Sequence, residues 1–130
     1  KKGIVFCLEP LGPKKTNFLN SLEEVVGVLG SVGKKNLAIA IASSDIIETN
    51  MKIEDIVHYG DLIAHAYLDS LEDFAGPIMG KATFPKASGT PHPIFFLSIL
   101  KKISYNKVIA LPNNADSETL LSCKEAWNRV

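Results

Sequence analysis

The chain has 130 residues, 46% of them apolar, with 14 basic and 14 acidic side chains, so it is long enough for one compact core and carries no formal net charge. Lys and Glu are scattered rather than blocked, which excludes the electrostatic footprint that nucleic acid or an anionic membrane surface demands. No apolar run approaches the ~20 residues needed to cross a bilayer, and the expected compartment is the cytoplasm.

The first apolar run, Ile4 to Leu8, has the pattern of a parallel strand covered on both faces, and Glu9-Pro10 ends it. After a Gly/Pro/Lys loop, Asn17 precedes Phe18, Leu19, Leu22, Val25, Val26 and Leu29, whose spacing predicts an amphipathic helix with Glu23 and Glu24 on its wet side. Gly30 and Gly33 stop it before a second strand, Leu37 to Ala42. Ser43, Ser44 and Asp45 follow, and Asn50 is the expected cap of a short helix holding Ile53, Ile56 and Val57. The third strand is read over Leu62 to Leu68. From Asp69 to Pro93 the chain is rich in Gly, Pro and Ser without periodicity, the composition of a functional loop over one end of the sheet. A helix from about Ile94 to Ile103, a fourth strand from Val108 to Leu111 and a last helix capped by Asp116 or Ser117 complete the chain. Cys7 and Cys123, without CxxC spacing, read as buried small hydrophobes of a reduced protein.

Strand and helix thus alternate four times, which demands right-handed crossovers in one parallel sheet. An open doubly wound fold and half of a β/α barrel, whose complete form takes roughly 250 residues, both satisfy this pattern.

Particular residues choose between them. Leu8-Glu9-Pro10-Leu11, then Thr16-Asn17-Phe18-Leu19-Asn20-Ser21 and Glu23-Glu24, resembles the E-P-L-N, T-N-F-L and helical E-E of the fifth strand and helix of the xylose isomerase-like barrels, the sugar phosphate isomerases and epimerases. Tyr59-Gly60-Asp61-Leu62-Ile63-Ala64-His65 is similar to the entry to that family's seventh strand, Ser88-Gly89-Thr90 to its P-G-x-G loop, and Leu100-Lys101-Lys102-Ile103-Ser104-Tyr105 to its L-K-x-I-G-Y. The resemblance implies an α/β fold: residues 1–130 as a single domain, four βα units equivalent to strands five to eight of a TIM-type barrel. The outer strands would then be bare apolar edges, which proteins avoid. A homodimer of half-barrels or a missing N-terminal half is therefore expected to cover them. The first residue, Lys1, is not Met, which fits processing or a piece of a longer chain.

The family moves a proton between adjacent sugar carbons, with a divalent ion polarising the oxygens and two glutamates as acid and base. By resemblance Glu9 matches the catalytic glutamate of strand five. The family's D-x-x-H places a ligand aspartate at Ala42 and a histidine at Asp45, its H-x-H becomes His65-Ala66-Tyr67, and its second glutamate falls on Pro112. Three of four metal anchors are thus replaced, so no metal ligands and no cofactor are expected unless Glu9, Asp45 and His65 form a displaced Mn or Mg site. Asn17, Asp45, His65 and Asn113 are the candidate contacts to a sugar or sugar phosphate.

Plainer roles fit these residues too: a loop bond for Glu9, a core position for His65, a turn or cap for Asp45, a helix-dipole contact for His58, and turns for Asn113 and Asn114. His92, between two prolines, receives no role. Three functions follow: an impaired, polyol-binding homologue; an active metal-dependent isomerase or epimerase whose N-terminal half is absent; or a protein-interaction module pairing through its edges. The resemblance extends to endonuclease IV barrels, but three scattered histidines do not supply their zinc cluster.

Overall fold

A computed structural model describes residues 3–69 and 93–130 of the chain. The elements run β1 (Phe6–Leu8), α1 (Leu22–Val32), β2 (Leu37–Ala42), α2 (Asp45–Glu48), α3 (Ile53–His58), a 3-10 turn at Gly60–Leu62, β3 (Ile63–Tyr67), α4 (Pro93–Lys102), β4 (Ile109–Ala110) and α5 (Ser117–Arg129). The strands form one parallel sheet in the order β1-β2-β3-β4. A strictly sequential order is that of a singly wound barrel wall, whereas a doubly wound sheet reverses direction at a switch point.

The core lies on one face of this sheet. Leu8, Ile39, Ile41, Ile63, Ala66, Leu68, Ile109 and Leu111 pack there with Leu22 and Val25 of α1, Ile56 of α3, Phe96, Leu97, Ile99 and Leu100 of α4, and Ala126 of α5. Burial of Phe96 alone implies a loss of about 3–5 kcal/mol on truncation to Ala. The alternate positions, Cys7, Ala38, Ala40, Ala42, Tyr67, Val108 and Ala110, face the other way, where no described helix covers the sheet. Among the described residues the helices lie on one face only, which is the geometry of a β/α half-barrel, although Ala38, Ala40 and Ala42 of the other face are themselves buried.

One irregularity sets the phase of β3. Ile39 pairs with Ile63, but Ala40 pairs with His65, so Ala64 is an extra residue in the ladder. This bulge lets both Ile63 and Ala66 reach the core and turns His65 and Tyr67 to the open face beside Ala40 and Ala42.

Several local expectations are corrected. The first helix starts at Leu22 rather than Phe18: the Ser21 side chain accepts from Glu24 N, while the Glu24 carboxylate accepts from Asn20 N at 2.8 Å, a capping arrangement that fixes the start. Gly33, with φ of 62°, closes that helix in the left-handed region. Asn50 does not cap α3. It sits at φ of 50°, and the N-cap is Lys52 without a side-chain bond. Asp116 does cap α5, accepting from Thr119 N at 2.8 Å. Cys7 is exposed rather than buried, because it points to the uncovered face of an outer strand. The reading of residues 70–92 as a functional loop, with His92 and Ser88-Gly89-Thr90, lies outside the described residues.

Candidate functional site

The carboxyl ends of the strands gather the polar residues. Glu9 follows β1, Ser43, Ser44 and Asp45 follow β2, and Asp69 follows β3. Here side chains extend past the ladder and backbone groups are freed for turns, which is why barrel sites form at this end.

Asp69 ties β3 to β2. One of its carboxylate oxygens accepts from Ser43 Oγ at 2.6 Å and from Ser44 N at 3.0 Å, and the other accepts from Ser44 Oγ. Partial burial works to raise its pKa, but these hydrogen bonds outweigh that and hold the Asp69 carboxyl below its ordinary value. The turn fixed in this way leads into α2, whose first residue, Asp45, is buried.

Asp45 is engaged from the opposite side. Lys15, in the β1–α1 loop, places Nζ at 2.7 Å from Asp45 Oδ1 and 3.5 Å from Glu48 Oε2. The hydrogen bond to Asp45 holds the Lys15 ammonium above its ordinary value. The loop carrying Lys15 is pinned: Asn20 Nδ2 donates to Leu11 O at 2.8 Å and Thr16 O at 2.9 Å. A Cβ on Gly12 would lie 2.7 Å from Glu48 Cβ, so only glycine permits this approach of the loop to α2.

Glu9 makes no hydrogen bond to another described residue. Partial burial first, then the negative charge of Asp45, push its carboxyl above the ordinary range; Asp69 adds to the rise, and Lys15 and His65 oppose it. The charges of Lys15, Asp45, His65 and Asp69 thus all reach Glu9 through space. His65 meets Tyr67 edge-on, with ring centroids 5.8 Å apart.

Of the residues singled out from sequence, Asp45 and His65 both act on the charge of Glu9. Asn17 is exposed in the loop, where Asn20 does the stapling, and no hydrogen bond or ion pair joins Asn17 to these three. Asn113 is exposed in the turn closed by Ala115 N to Pro112 O at 3.0 Å, also unconnected to those three. His58 ends α3, stacked edge-on against Tyr59. Sequence reasoning missed Lys15 and Asp69. Asp69 carried a signal, since His65, Tyr67 and Asp69 alternate along one face of the strand and its extension; Lys15 carried none, because its partner is thirty positions away.

A divalent ion does not fit these donors. Ala42 and Pro112 offer no side-chain atom, Asp45 holds Lys15, and Asp69 is occupied by two serines. Among the described residues no three His, Cys, Asp or Glu side chains are grouped to share an ion.

No family model and no curated protein matches the sequence. Solved structures do match. The 3-keto-D-glucoside 4-epimerase from E. coli is similar with a TM-score of 0.65 and 18% identity, over 98% of this chain and 46% of that one. An L-ribulose 3-epimerase gives 0.68 and 13%, over 98% and 48%. The D-psicose 3-epimerase of Clostridium cellulolyticum H10, solved with D-tagatose, gives 0.62 and 19%, over 95% and 47%. The chain spans about half the length of these structures, and its fold is similar to about half of the barrel they share.

Proposed function

We propose that this chain is the sugar-binding half of an epimerase-like barrel in which the proton-transfer chemistry is impaired. The observation that carries this reading is the rim itself. Glu9 stands at the end of β1 as a carboxylate with no hydrogen bond to a described residue, while the position matching a second acid-base group is Pro112. Inverting a carbon centre requires one group to remove a proton and another to return it on the opposite face, and proline does neither. The charges of Lys15 and His65, which both act on Glu9, support a polar rim that a polyol hydroxyl can use.

The test is exchange of the C3 proton of D-psicose in deuterated water, followed by NMR with and without Mn²⁺, alongside ligand-observed binding. Binding without exchange is expected. Metal-dependent exchange abolished by Glu9→Gln would instead establish an active isomerase or epimerase.

A second reading is favoured by the exposed apolar side chains at both flanks: Ile4 before β1 and Phe6 in it, Val108 just before β4, and Leu120 and Leu121 on α5. We propose that further βα units cover these flanks and the open face, whether or not the rim binds sugar. Light scattering at micromolar concentration tests this: a well-behaved isolated monomer that binds no hydrophobic dye would count against it.

A further inference from the structure

The donor set at the strand ends fails as a divalent-ion site in a specific way, because the carboxylate that could contribute most already holds a cation. The Asp45 side chain is 3% exposed, so its charge has to be compensated inside the protein, and Lys15 Nζ at 2.7 Å does so. The same ammonium lies 3.5 Å from Glu48. Its loop is fixed by the Asn20 staple and by the close approach of Gly12 to Glu48, so Lys15 is not a freely moving surface chain. Yet 43% of its side chain is open to solvent. An ammonium has three N–H donors, and the two carboxylates leave at least one directed elsewhere.

We propose that Lys15 is the fixed cation of this site: clamped by Asp45 and Glu48, it donates a charge-assisted hydrogen bond to a hydroxyl or carbonyl oxygen of an uncharged polyhydroxy ligand, and its presence keeps divalent ions out. The ligand part rests on the sugar-binding reading above; the exclusion of the ion does not. With Asp45 and Glu48 both against one ammonium, the site has no surplus positive charge for a phosphate, which is why the ligand is an uncharged polyol.

Two readouts test it. The first titrates Mn²⁺ into the 130-residue chain and follows the aqueous Mn²⁺ signal by electron paramagnetic resonance. The wild type should leave the signal unchanged and Lys15→Met should diminish it, since Asp45 and Glu48 then lack a counter-charge. Stoichiometric Mn²⁺ binding by the wild type, or no gain in Lys15→Met, overturns the proposal. The second measures D-tagatose binding calorimetrically. Binding should be indifferent to EDTA and about tenfold weaker or more in the double variant Lys15→Met/Asp45→Asn, in which no buried charge is left alone, with part of the affinity retained in Lys15→Arg. EDTA-sensitive binding, or an unchanged dissociation constant in the double variant, overturns it. If the wild type binds neither D-tagatose nor D-psicose, the sugar-binding reading fails and the Mn²⁺ titration alone decides the role of Lys15.

Discussion

Replacing Asp69 by Ala removes the link between the ends of β2 and β3. The carboxylate accepts from Ser43 Oγ, Ser44 N and Ser44 Oγ, and the Asp69 amide itself donates to Ser43 Oγ at 3.2 Å. Hydrogen bonds to a charged acceptor are worth about 1.5–3 kcal/mol each when buried, but this side chain is partly open to water and the bonds share partners, so the net cost is about 1–2 kcal/mol. For a chain of this size that corresponds to a fall in Tm of about 4–8 °C. The pH dependence gives a sharper check. The folded-state pKa of Asp69 lies below its ordinary value of 3.8, so its contribution is fully present above the unfolded value and is lost as pH falls through the lowered folded value. Urea unfolding at pH 7 and at successive steps below pH 4 should therefore show the wild type and Asp69→Ala converging in acid. A stability gap that stays constant below pH 4, or no gap at pH 7, would mean that the Asp69 carboxylate does not tie β2 to β3.

Three further outcomes are expected. Ser21→Ala removes the acceptor for Glu24 N and should cost about 1 kcal/mol in urea unfolding, with Ser21→Thr recovering most of it. Gly12→Ala drives a methyl group to 2.7 Å from Glu48 Cβ, and the resulting shift of loop against α2 should cost about 1–3 kcal/mol by thermal unfolding. A thiol reagent at pH 8 should label exposed Cys7 well before Cys123, whose thiol burial pushes up; equal rates would contradict the placement of β1.

The elements were legible because their signals are local. The apolar runs at Leu37–Ala42 and around Ile63, bounded by Gly and turn residues, marked strands, and the spacing of Leu22, Val25 and Leu29 marked a helix face. Choosing a barrel wall over an open sheet required the resemblance around Glu9-Pro10 and Tyr59 to His65, because periodicity is blind to strand order. The site was half legible. Glu9 and Asp45 follow strand ends, where a sequence reader looks, and His65 lies within β3. Lys15 was hidden because an ion pair across a loop leaves no periodic trace. Strict alternation from Ile63 would also point His65 into the core; the extra residue at Ala64 reverses that, and nothing in the sequence marks it.

The composition of the open face bears on what covers it. If two copies closed a barrel about a two-fold axis, β2 would lie diametrically opposite its own copy, and each layer drawn from alternate strands would combine β2 and β4 of both chains. The inward residues available to those layers are Ala38, Ala40 and Ala42 from β2, and Val108, Ala110 and Pro112 around β4. Barrel interiors are filled mainly by large branched side chains, and four alanines meeting in one layer leave a void of the kind that costs several kcal/mol when made by truncation. A different set of strands, with Leu, Ile or aromatic side chains aimed at the alanines of β2, fills the space without that cost. Of the two coverings anticipated from sequence, packing therefore favours non-identical βα units over a second copy. On this reasoning Ala40→Leu/Ala110→Leu should dimerise in light scattering more strongly than the wild type, and a wild type that already closes as a tight two-fold dimer would show the volume argument to be mistaken.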